Sequence, residues 1–462
     1  MSSSADKMVD VLVGSSRTDF LEIIKTTLRG YYPYHLQQFL SVESLIDKSG
    51  DENFRPILAL IDGQDGTQKT AEWVQTTKMN YPNCPLIVLH SVESALDFNL
   101  LKKNGANEIM HINFDREFLS DMVLQLAPID MEGDHIPITA LMPVDLRDIE
   151  ADVNINFDVY VHLPANHRSV VLRRQGDVID QRHVDKFKNL NQQMYVKKTQ
   201  RDEFFEYART VLSLRNVAFP ISMTEKFHRS MRTIYDFMSQ FLNGSSTDYS
   251  EGKQILDKCK SIVADLELNK TLTGPEIFEE VSRYCFNLRS YYHDCLCVAA
   301  YAAYFAQLLD WTPDKREAAA IAGLLHNIGL AQLPARTGAK TPEQLNDEEV
   351  IEYKLYPERS ILMVKSKKVP ISSEVSEGIG QHRENTMGTG FPKGLSAKEL
   401  SLFGKLLSIA YKFHELTALK ENQSLPTLNP SAAMAQLRDN AISEEANVDL
   451  LLVTQLFKKF KK

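Results

Sequence analysis

The stretch His326-Asn-Ile-Gly329, followed by Gln381-His382-Arg383-Glu384 and Gly388-Thr-Gly-Phe391-Pro392, decides how the C-terminal half of this chain is interpreted. Imidazole and carboxylate groups are among the side chains that most often bind metal ions in proteins. The three segments therefore raise one question, which is whether the side chains present in them are able to hold a metal ion.

In the sequence around these segments, apolar residues recur at the spacing that is typical of α-helices. Glu225–Leu242 and Glu251–Leu266 carry apolar residues three and four positions apart, as amphipathic helices do. Asn243–Asp248 between them is rich in turn residues, and Thr273-Gly-Pro-Glu276 begins the next helix, because proline is tolerated in a first turn. The pattern predicts a helical domain, with its preceding helices, over residues 221–462.

The N-terminal part, residues 1–127, alternates short apolar runs with segments of helical length. Such alternation predicts a doubly wound parallel sheet with helices on both faces. The predicted strands are Val9–Val13, Pro56–Ile61 and Pro85–Leu89, with Gly105–Met110 leading into a fifth strand, and the predicted helices include Asp19–Arg29 and Ala71–Asn80.

This part resembles a response-regulator receiver domain. In that family an acidic pair after the first strand holds Mg²⁺, and an aspartate after the third strand accepts phosphate. Asp62 matches the phosphoacceptor, but Gly14-Ser15-Ser16 replaces the acidic pair. His90 replaces the family's hydroxyl residue and Ile112 its lysine. The resemblance therefore implies a pseudo-receiver used for docking, since phosphate charge at Asp62 would lack a neutralising cation.

A small α/β module is predicted over residues 144–210, after a proline-punctuated linker from Pro128 to Pro143. It resembles the adaptor module often placed ahead of helical phosphohydrolase domains. Its basic residues are expected to form either a solvated surface or a face for an anionic ligand. They are Arg168, Arg173, Arg174, Lys186, Lys188, Lys197, Lys198 and Arg201.

Composition excludes several classes of protein. A net charge of −9 argues against broad nucleic-acid binding, which needs a cationic surface. Five scattered cysteines argue against a disulfide framework and favour a reducing compartment. The longest apolar stretch, Cys295–Leu309, contains Gln307 and is shorter than a membrane span of about 20 residues. We therefore expect a cytoplasmic protein with no transmembrane segment.

Residues 274–455 resemble an HD-GYP domain, the helical phosphohydrolase class that hydrolyses the bacterial second messenger cyclic di-GMP. The resemblance implies two or three metal ions, iron or manganese, that polarise the phosphate and generate the attacking hydroxide. It places retained ligand histidines at His293, His326 and His382, and a supporting carboxylate at Glu384.

Several family positions are replaced in this chain. Asn327 stands where the family has the bridging aspartate, and a neutral amide is a much poorer bridging ligand. Arg383 stands at a histidine position, and a guanidinium cannot coordinate a cation. The other replacements are Leu330 for the lysine, Tyr356 for a histidine, Met387 and Tyr411 for aspartates, and Phe391 for the loop tyrosine. We therefore expect no bound metal and no catalysis at this vestigial site.

Two other uses of the same residues remain open. His293 and Cys297 are four residues apart on one helix and share a face, so with His326 they are able to form a single zinc site. Arg383, with Gly388 and Phe391 of the glycine loop, is able to bind a phosphate by charge-assisted hydrogen bonds without hydrolysing it.

The function predicted from these residues is that of a bacterial signalling protein whose two modules act as interaction scaffolds. The expected partner is a protein, such as a second copy of this chain or a cyclic-nucleotide synthase. The first alternative is an active or weakly active cyclic di-GMP phosphodiesterase that uses iron or manganese. The second is a sensor that binds cyclic di-GMP without cleaving it.

Overall fold

A computed structural model of the chain describes residues 8–28, 34–91, 94, 96–129, 136, 138–163, 168–189, 193–215, 222–243, 248–265, 273–282, 291–338, 340, 342–418, 428–442 and 448–460. The chain divides into two compact units, Met1–Arg229 and Ser230–Lys462.

The first unit begins with a five-stranded parallel sheet in the order β2-β1-β3-β4-β5. Its strands are β1 (Val9–Gly14), β2 (Tyr34–Phe39), β3 (Leu58–Asp62), β4 (Leu86–His90) and β5 (Glu108–His111). Its helices are α1 (Phe20–Leu28), α2 (Val42–Lys48), α3 (Thr67–Asn80), α4 (Phe98–Lys103) and α5 (Arg116–Leu126). This is a receiver-like, doubly wound order, and the predicted α/β domain is confirmed.

The buried strands follow from their sequences. Every residue of β3 and β4 is buried, so each strand is a continuous apolar run until its last polar residue, Asp62 or His90. Edge strand β2 was not predicted, because only Tyr34 and Phe39 at its two ends are buried. An edge strand that is half exposed lacks the apolar run that identifies a central strand.

The second sheet of the first unit is antiparallel, with four strands in the order β6-β9-β7-β8. The strands are β6 (Leu141–Val144), β7 (Val159–Leu163), β8 (Arg168–Arg173) and β9 (Met194–Lys197), and the helices are α6 (Gln181–Asn189) and α7 (Arg201–Leu214). The predicted α/β middle module is confirmed. Most of β6, however, lies in the segment interpreted as a linker, since an edge strand tolerates Pro143.

The second unit is helical, as predicted. Its elements are α8 (Met223–Asn243, which crosses the boundary between the units), α9 (Tyr249–Asp265), α10 (Gly274–Ser282), α11 (Tyr291–Leu308), α12 (Pro313–Leu325), α13 (Ala335–Gly338), α14 (Asp347–Lys354), α15 (Tyr356–Ser366), α16 (Ser373–Gln381), α17 (Leu402–Thr417), α18 (Pro430–Ile442) and α19 (Leu450–Phe460). Most of the predicted turn at Asn243–Asp248 lies outside the described residues.

Helix α11 lies at the centre of this unit, and every residue from Cys295 to Ala306 except Ala303 is buried. Helix α12 packs closely against it at Gly323, where an added Cβ would lie 2.6 Å from the Cα of Ala299. Only glycine permits this approach. The contact fixes the end of α12, and therefore the position of His326, against α11.

Among the described residues, no helix is long and apolar enough to span a lipid bilayer.

Candidate functional site

His326 and His382 end their helices in the same way. Each follows the last residue of its helix, α12 or α16, and each ring Nδ1 lies 2.7 Å from a backbone carbonyl three residues earlier, Gly323 for His326 and Ile379 for His382. A carbonyl only accepts, so Nδ1 donates in both rings and Nε2 carries the lone pair. The two rings are 4.9 Å apart, edge to face, so the fold brings these two predicted residues together.

His326 is a neutral and fully buried base. Its side chain is 0% exposed, and its Nε2 has no hydrogen-bond partner within the described part of the chain. Burial lowers the pKa of His326 to about 4, although the Gly323 carbonyl and Asp294 act in the opposite direction. At neutral pH the ring therefore presents an uncharged nitrogen toward the cluster.

The Nε2 atom of His382 is engaged by a tyrosine. The hydroxyl of Tyr356, at the start of α15, lies 2.7 Å from this nitrogen and donates to it. Burial, followed by the effects of His326 and Arg383, lowers the pKa of His382 well below its ordinary value. Both side chains are almost fully buried. The lone pair that would bind a metal is already used.

Asn327 is also committed to hydrogen bonds. Its Oδ1 accepts the thiol proton of Cys295 at 2.8 Å, and its Nδ2 donates to the carbonyl of Tyr291 at 3.3 Å. Burial raises the pKa of Cys295 well above its ordinary value, so the thiol stays protonated. The amide thus joins two points of α11 to the end of α12.

Arg383 lies between two aromatic rings. Its guanidinium carbon is 4.9 Å from the ring centre of Phe391 and 4.5 Å from that of Tyr411. Its Nη1 lies 3.5 Å from a carboxylate oxygen of Glu415, which also accepts from the Tyr411 hydroxyl at 2.8 Å. Such stacking stabilises a cation that is largely removed from water. The guanidinium is therefore held by the protein itself.

Leu330 stands where the family has a phosphate-contacting lysine, and here it is part of an apolar cluster. Leu330, Leu333 and Tyr356 form the buried centre, and Tyr291, Tyr353 and Phe391 pack around them. Of the bulky replacements, Tyr356 and Tyr411 are buried inside the site, whereas Met387 is 54% exposed on the glycine loop.

Glu384 shapes the loop between α16 and α17. Its two carboxylate oxygens accept from the backbone amides of Lys393, at 2.7 Å, and Leu395, at 2.9 Å. Gly390 lies against Glu384 so closely that an added Cβ would be 2.5 Å from the Cα of that residue. Gly388 has a φ of 72°, a conformation that favours glycine. Glu384 is thus a structural residue of the loop.

Asp294 is a site residue that sequence reasoning missed. Its Oδ1 lies 2.7 Å from Nε2 of His414, and this pair joins α11 to α17 in the interior. The two residues are 120 positions apart, so no local pattern signals the contact. The predicted ligand His293, its neighbour in sequence, is only half buried in the first turn of α11.

The residues present do not fit a two-metal centre. The lone pair of His382 Nε2 and the oxygen of Asn327 already accept hydrogen bonds, and Arg383 adds a positive charge where dications would need carboxylates. The zinc alternative also finds no support: in the described ranges no group of three or more His, Cys, Asp or Glu side chains, such as His293, Cys297 and His326, is placed to hold a metal.

In the receiver-like domain, Asp62 is 7% exposed at the end of β3. Its Oδ2 accepts from the Ser15 hydroxyl at 2.7 Å and lies 3.7 Å from Nε of Arg17. Burial raises the pKa of Asp62, while Ser15 and Arg17 act in the opposite direction. Arg17 also pairs with Asp19 and Gln64, so an arginine provides the positive charge nearest Asp62 among the described residues.

The basic residues of the middle module do not form one free face. Arg173 pairs with Asp180, Lys197 with Asp158, Lys198 with Asp121 and Arg201 with Asp202. The side chains of Arg168 and Lys188 lie outside the described residues, and Arg174 and Lys186 are exposed. Half of the predicted set is therefore neutralised by carboxylates within the same unit.

Comparison with known proteins identifies the helical part. Residues 269–445 match a family model described as HD domain. These residues form an HD domain. It is related to the HD-GYP phosphodiesterases of cyclic dinucleotides.

Two curated relatives show this similarity. The chain is 30% identical over 122 residues to the cyclic di-GMP phosphodiesterase PdeB of Borreliella burgdorferi, which is 26% of this chain. It is 28% identical over 132 residues, 29% of this chain, to the 3'3'-cGAMP-specific phosphodiesterase 1 of Vibrio cholerae. The chain spans 30% of the length of each relative.

Two solved structures are also similar. Bd1817, a HDG"Y"P protein from Bdellovibrio bacteriovorus, matches with 19% identity and a TM-score of 0.40, over 70% of this chain and all of that one. The chemotaxis protein CheY4 of Vibrio cholerae matches with 18% identity and a TM-score of 0.23, over 26% of this chain and 98% of its own.

The two buried imidazoles predict that acid destabilises the HD domain. The lowered pKa of His326 means that the unfolded chain binds a proton between pH 6.5 and about 4 when the folded chain does not. The free energy of unfolding should fall through this window by up to about 3 kcal/mol from His326 alone, and His382 acts in the same direction. Urea unfolding at several pH values measures the effect.

His326→Gln should reduce this acid sensitivity. His35→Gln is the matched control, because His35 is exposed and pairs with Asp10 on the surface of the receiver-like domain. An unfolding free energy that stays constant from pH 7 to pH 5 would show that these imidazoles are not buried as described.

Proposed function

We propose that this chain is a signalling protein of a cyclic-dinucleotide pathway whose HD domain does not hydrolyse its messenger and serves as an interaction scaffold. The receiver-like domain, which lacks the family's acidic pair, acts as a docking module. A protein partner completes the function, either a second copy of this chain or an enzyme that makes the nucleotide.

The observation that carries this proposal is the hydrogen bond from Tyr356 to Nε2 of His382. A nitrogen that accepts a hydrogen bond from a buried hydroxyl cannot also bind a metal, because both use the same lone pair. Arg383, stacked between Phe391 and Tyr411, places a positive charge in the same cluster. Binding dications there would bring like charges together with few carboxylates to offset them.

The test is a joint measurement of metal content and turnover. The full chain is purified from medium rich in iron and manganese, analysed for both metals, and incubated with cyclic di-GMP and with 3'3'-cGAMP. We expect the metal content to be less than about half an equivalent per chain, and we expect no linear dinucleotide product even at high protein concentration. Two equivalents of iron or manganese, with turnover that His326→Ala abolishes and His35→Ala preserves, would overturn the proposal.

One observation favours a second function, a phosphodiesterase with unusual ligands. Nε2 of His326, which has no hydrogen-bond partner among the described residues, is a base within the buried cluster, and both curated relatives are named as phosphodiesterases. The same turnover assay separates the two functions.

Non-hydrolytic binding of cyclic di-GMP through Arg383 is the third possibility. Arg383 already contacts Glu415 and two aromatic rings, and only 19% of its side chain is exposed to a ligand. Calorimetric titration of the full chain with cyclic di-GMP is therefore expected to give no heat of binding. A binding signal that Arg383→Ala removes would favour the sensor.

A further inference from the structure

The turn between β5 and α5 in the receiver-like domain contains a buried carboxyl group. Asp115 is 1% exposed. Its Oδ2 accepts from the backbone amide of His111 at 2.6 Å, and its Oδ1 has no hydrogen-bond partner in the part of the chain that the structure describes. A carboxyl group with so little solvation is most stable when it carries a proton.

Two buried histidines lie beside this turn. His111 is in register with His90 on the neighbouring strand, and the ring centres are 5.2 Å apart. Nδ1 of His111 accepts weakly from the backbone amides of Asn113 and Phe114, each at 3.3 Å. Nδ1 of His111 accepts these bonds only through its lone pair, so the ring is uncharged in this turn.

Among the described residues of the surrounding elements, no cationic side chain forms an ion pair with Asp115. The carboxylate of Glu108 on β5 acts on Asp115 in the same direction as burial, and together they raise the pKa of Asp115 to about 7. The charged residues of α1, Glu22 and Lys25, pair with each other at the surface. The other charged groups on the adjoining elements are Asp62 with Arg17 at the sheet edge, Lys102 and Lys103 of α4, which are exposed, and Arg116 and Asp121 of α5.

Helix α5 connects this turn to the middle module. It starts at Arg116, directly after Asp115, and its Asp121 forms an ion pair with Lys198, next to β9 of the antiparallel sheet. Both residues belong to the first unit. A change in the conformation of the turn therefore alters the start of α5, and α5 is the helix that contacts the middle module.

We propose that the β5–α5 turn is a pH-responsive hinge, in which ionisation of Asp115 opens the turn and loosens α5 from the middle module. The trigger lies in the receiver-like domain, at the carboxyl edge of the sheet, and needs neither phosphate nor metal. It is independent of whether the HD domain hydrolyses a nucleotide.

The sign of the effect follows from the raised pKa of Asp115. The closed turn holds the proton up to about pH 7, and the open turn, with an ordinary carboxyl, releases it far lower. Opening therefore releases a proton throughout this window. The opening constant should rise roughly tenfold for each pH unit between 5 and 7 and level off above 7.

Hydrogen exchange of the full chain, corrected for the intrinsic pH dependence of exchange, tests this in peptides covering residues 108–126 and 194–205. In the wild-type protein, the opening constant should rise roughly tenfold for each pH unit in both regions. Asp115→Asn, which keeps an oxygen for the His111 amide, should lose the pH dependence in both. Asp121→Asn is the matched control and should keep it in the turn but lose it near Lys198.

A wild-type profile that stays flat between pH 5 and 8 would overturn the hinge even if Asp115→Asn does not fold. A folded Asp115→Asn variant that keeps the full pH dependence would also overturn it.

Discussion

Asp294→Ala is expected to lower the free energy of unfolding of the HD domain by about 1–3 kcal/mol, because it leaves the buried ring nitrogen of His414 without its hydrogen-bonding carboxylate. The pair joins α11 and α17 at 2.7 Å, and the two side chains are 9% and 1% exposed. Chemical denaturation of the full chain, followed by a probe in the second unit such as exchange in α17, measures the loss.

A double-mutant cycle makes the test specific. His414→Ala should cost about as much as Asp294→Ala, and the double variant should cost clearly less than the sum of the two. The matched control is the exposed pair Lys260–Glu317, at 2.9 Å, for which Glu317→Ala should cost less than about 1 kcal/mol. Additive losses for Asp294 and His414 would show that the two side chains do not interact.

Glu384→Ala is expected to release the loop from Asn385 to Ser396 and to destabilise the HD domain by about 3–5 kcal/mol, since both amide hydrogen bonds to its carboxylate are lost. Two backbone amides, those of Lys393 and Leu395, lose their carboxylate acceptor in a position that is 1% exposed. Hydrogen bonds to charged groups contribute more than neutral ones, and a buried amide left without an acceptor is costly. Exchange of the Lys393 and Leu395 amides and denaturant unfolding measure the two effects.

The same loop offers its own control. Glu399 accepts from the backbone amide and the hydroxyl of Ser396, but the contact is exposed to solvent. Glu399→Ala should therefore destabilise the HD domain far less than Glu384→Ala does. Equal losses for the two variants would mean that Glu384 does not organise the loop, and its role in the site would have to be reconsidered.

Much of the fold could be predicted from the sequence. The central strands of the receiver-like domain follow from apolar runs, since β3 and β4 are buried at every position. The helices of the second unit follow from apolar spacing, and α8 and α9 lie close to the predicted Glu225–Leu242 and Glu251–Leu266. The edge strands β2 and β6 were missed, because the sequences of half-exposed or proline-containing strands resemble those of loops.

The site was predicted in part. The sequence identified His326, His382, Arg383 and Tyr411, and the fold places their rings and guanidinium in one cluster. It did not identify Asp294, His414 or Glu415, whose roles depend on contacts between separate helices. The assignments of ligand-binding roles to Gly388 and Phe391 and the expectation of no bound metal stay predictions, and within the described residues His293 is not part of a metal-binding group.

The sequence by itself determined the types of side chain at each position: an amide at Asn327, a guanidinium at Arg383 and a phenol at Tyr356. Only the tertiary structure decided what each group bonds to. Tyr356 donates to His382, Asn327 accepts from Cys295, and Arg383 lies between two rings. The reason is that a lone pair or a charge acquires its role from the partner within about 3–4 Å, and packing between helices far apart in sequence selects that partner.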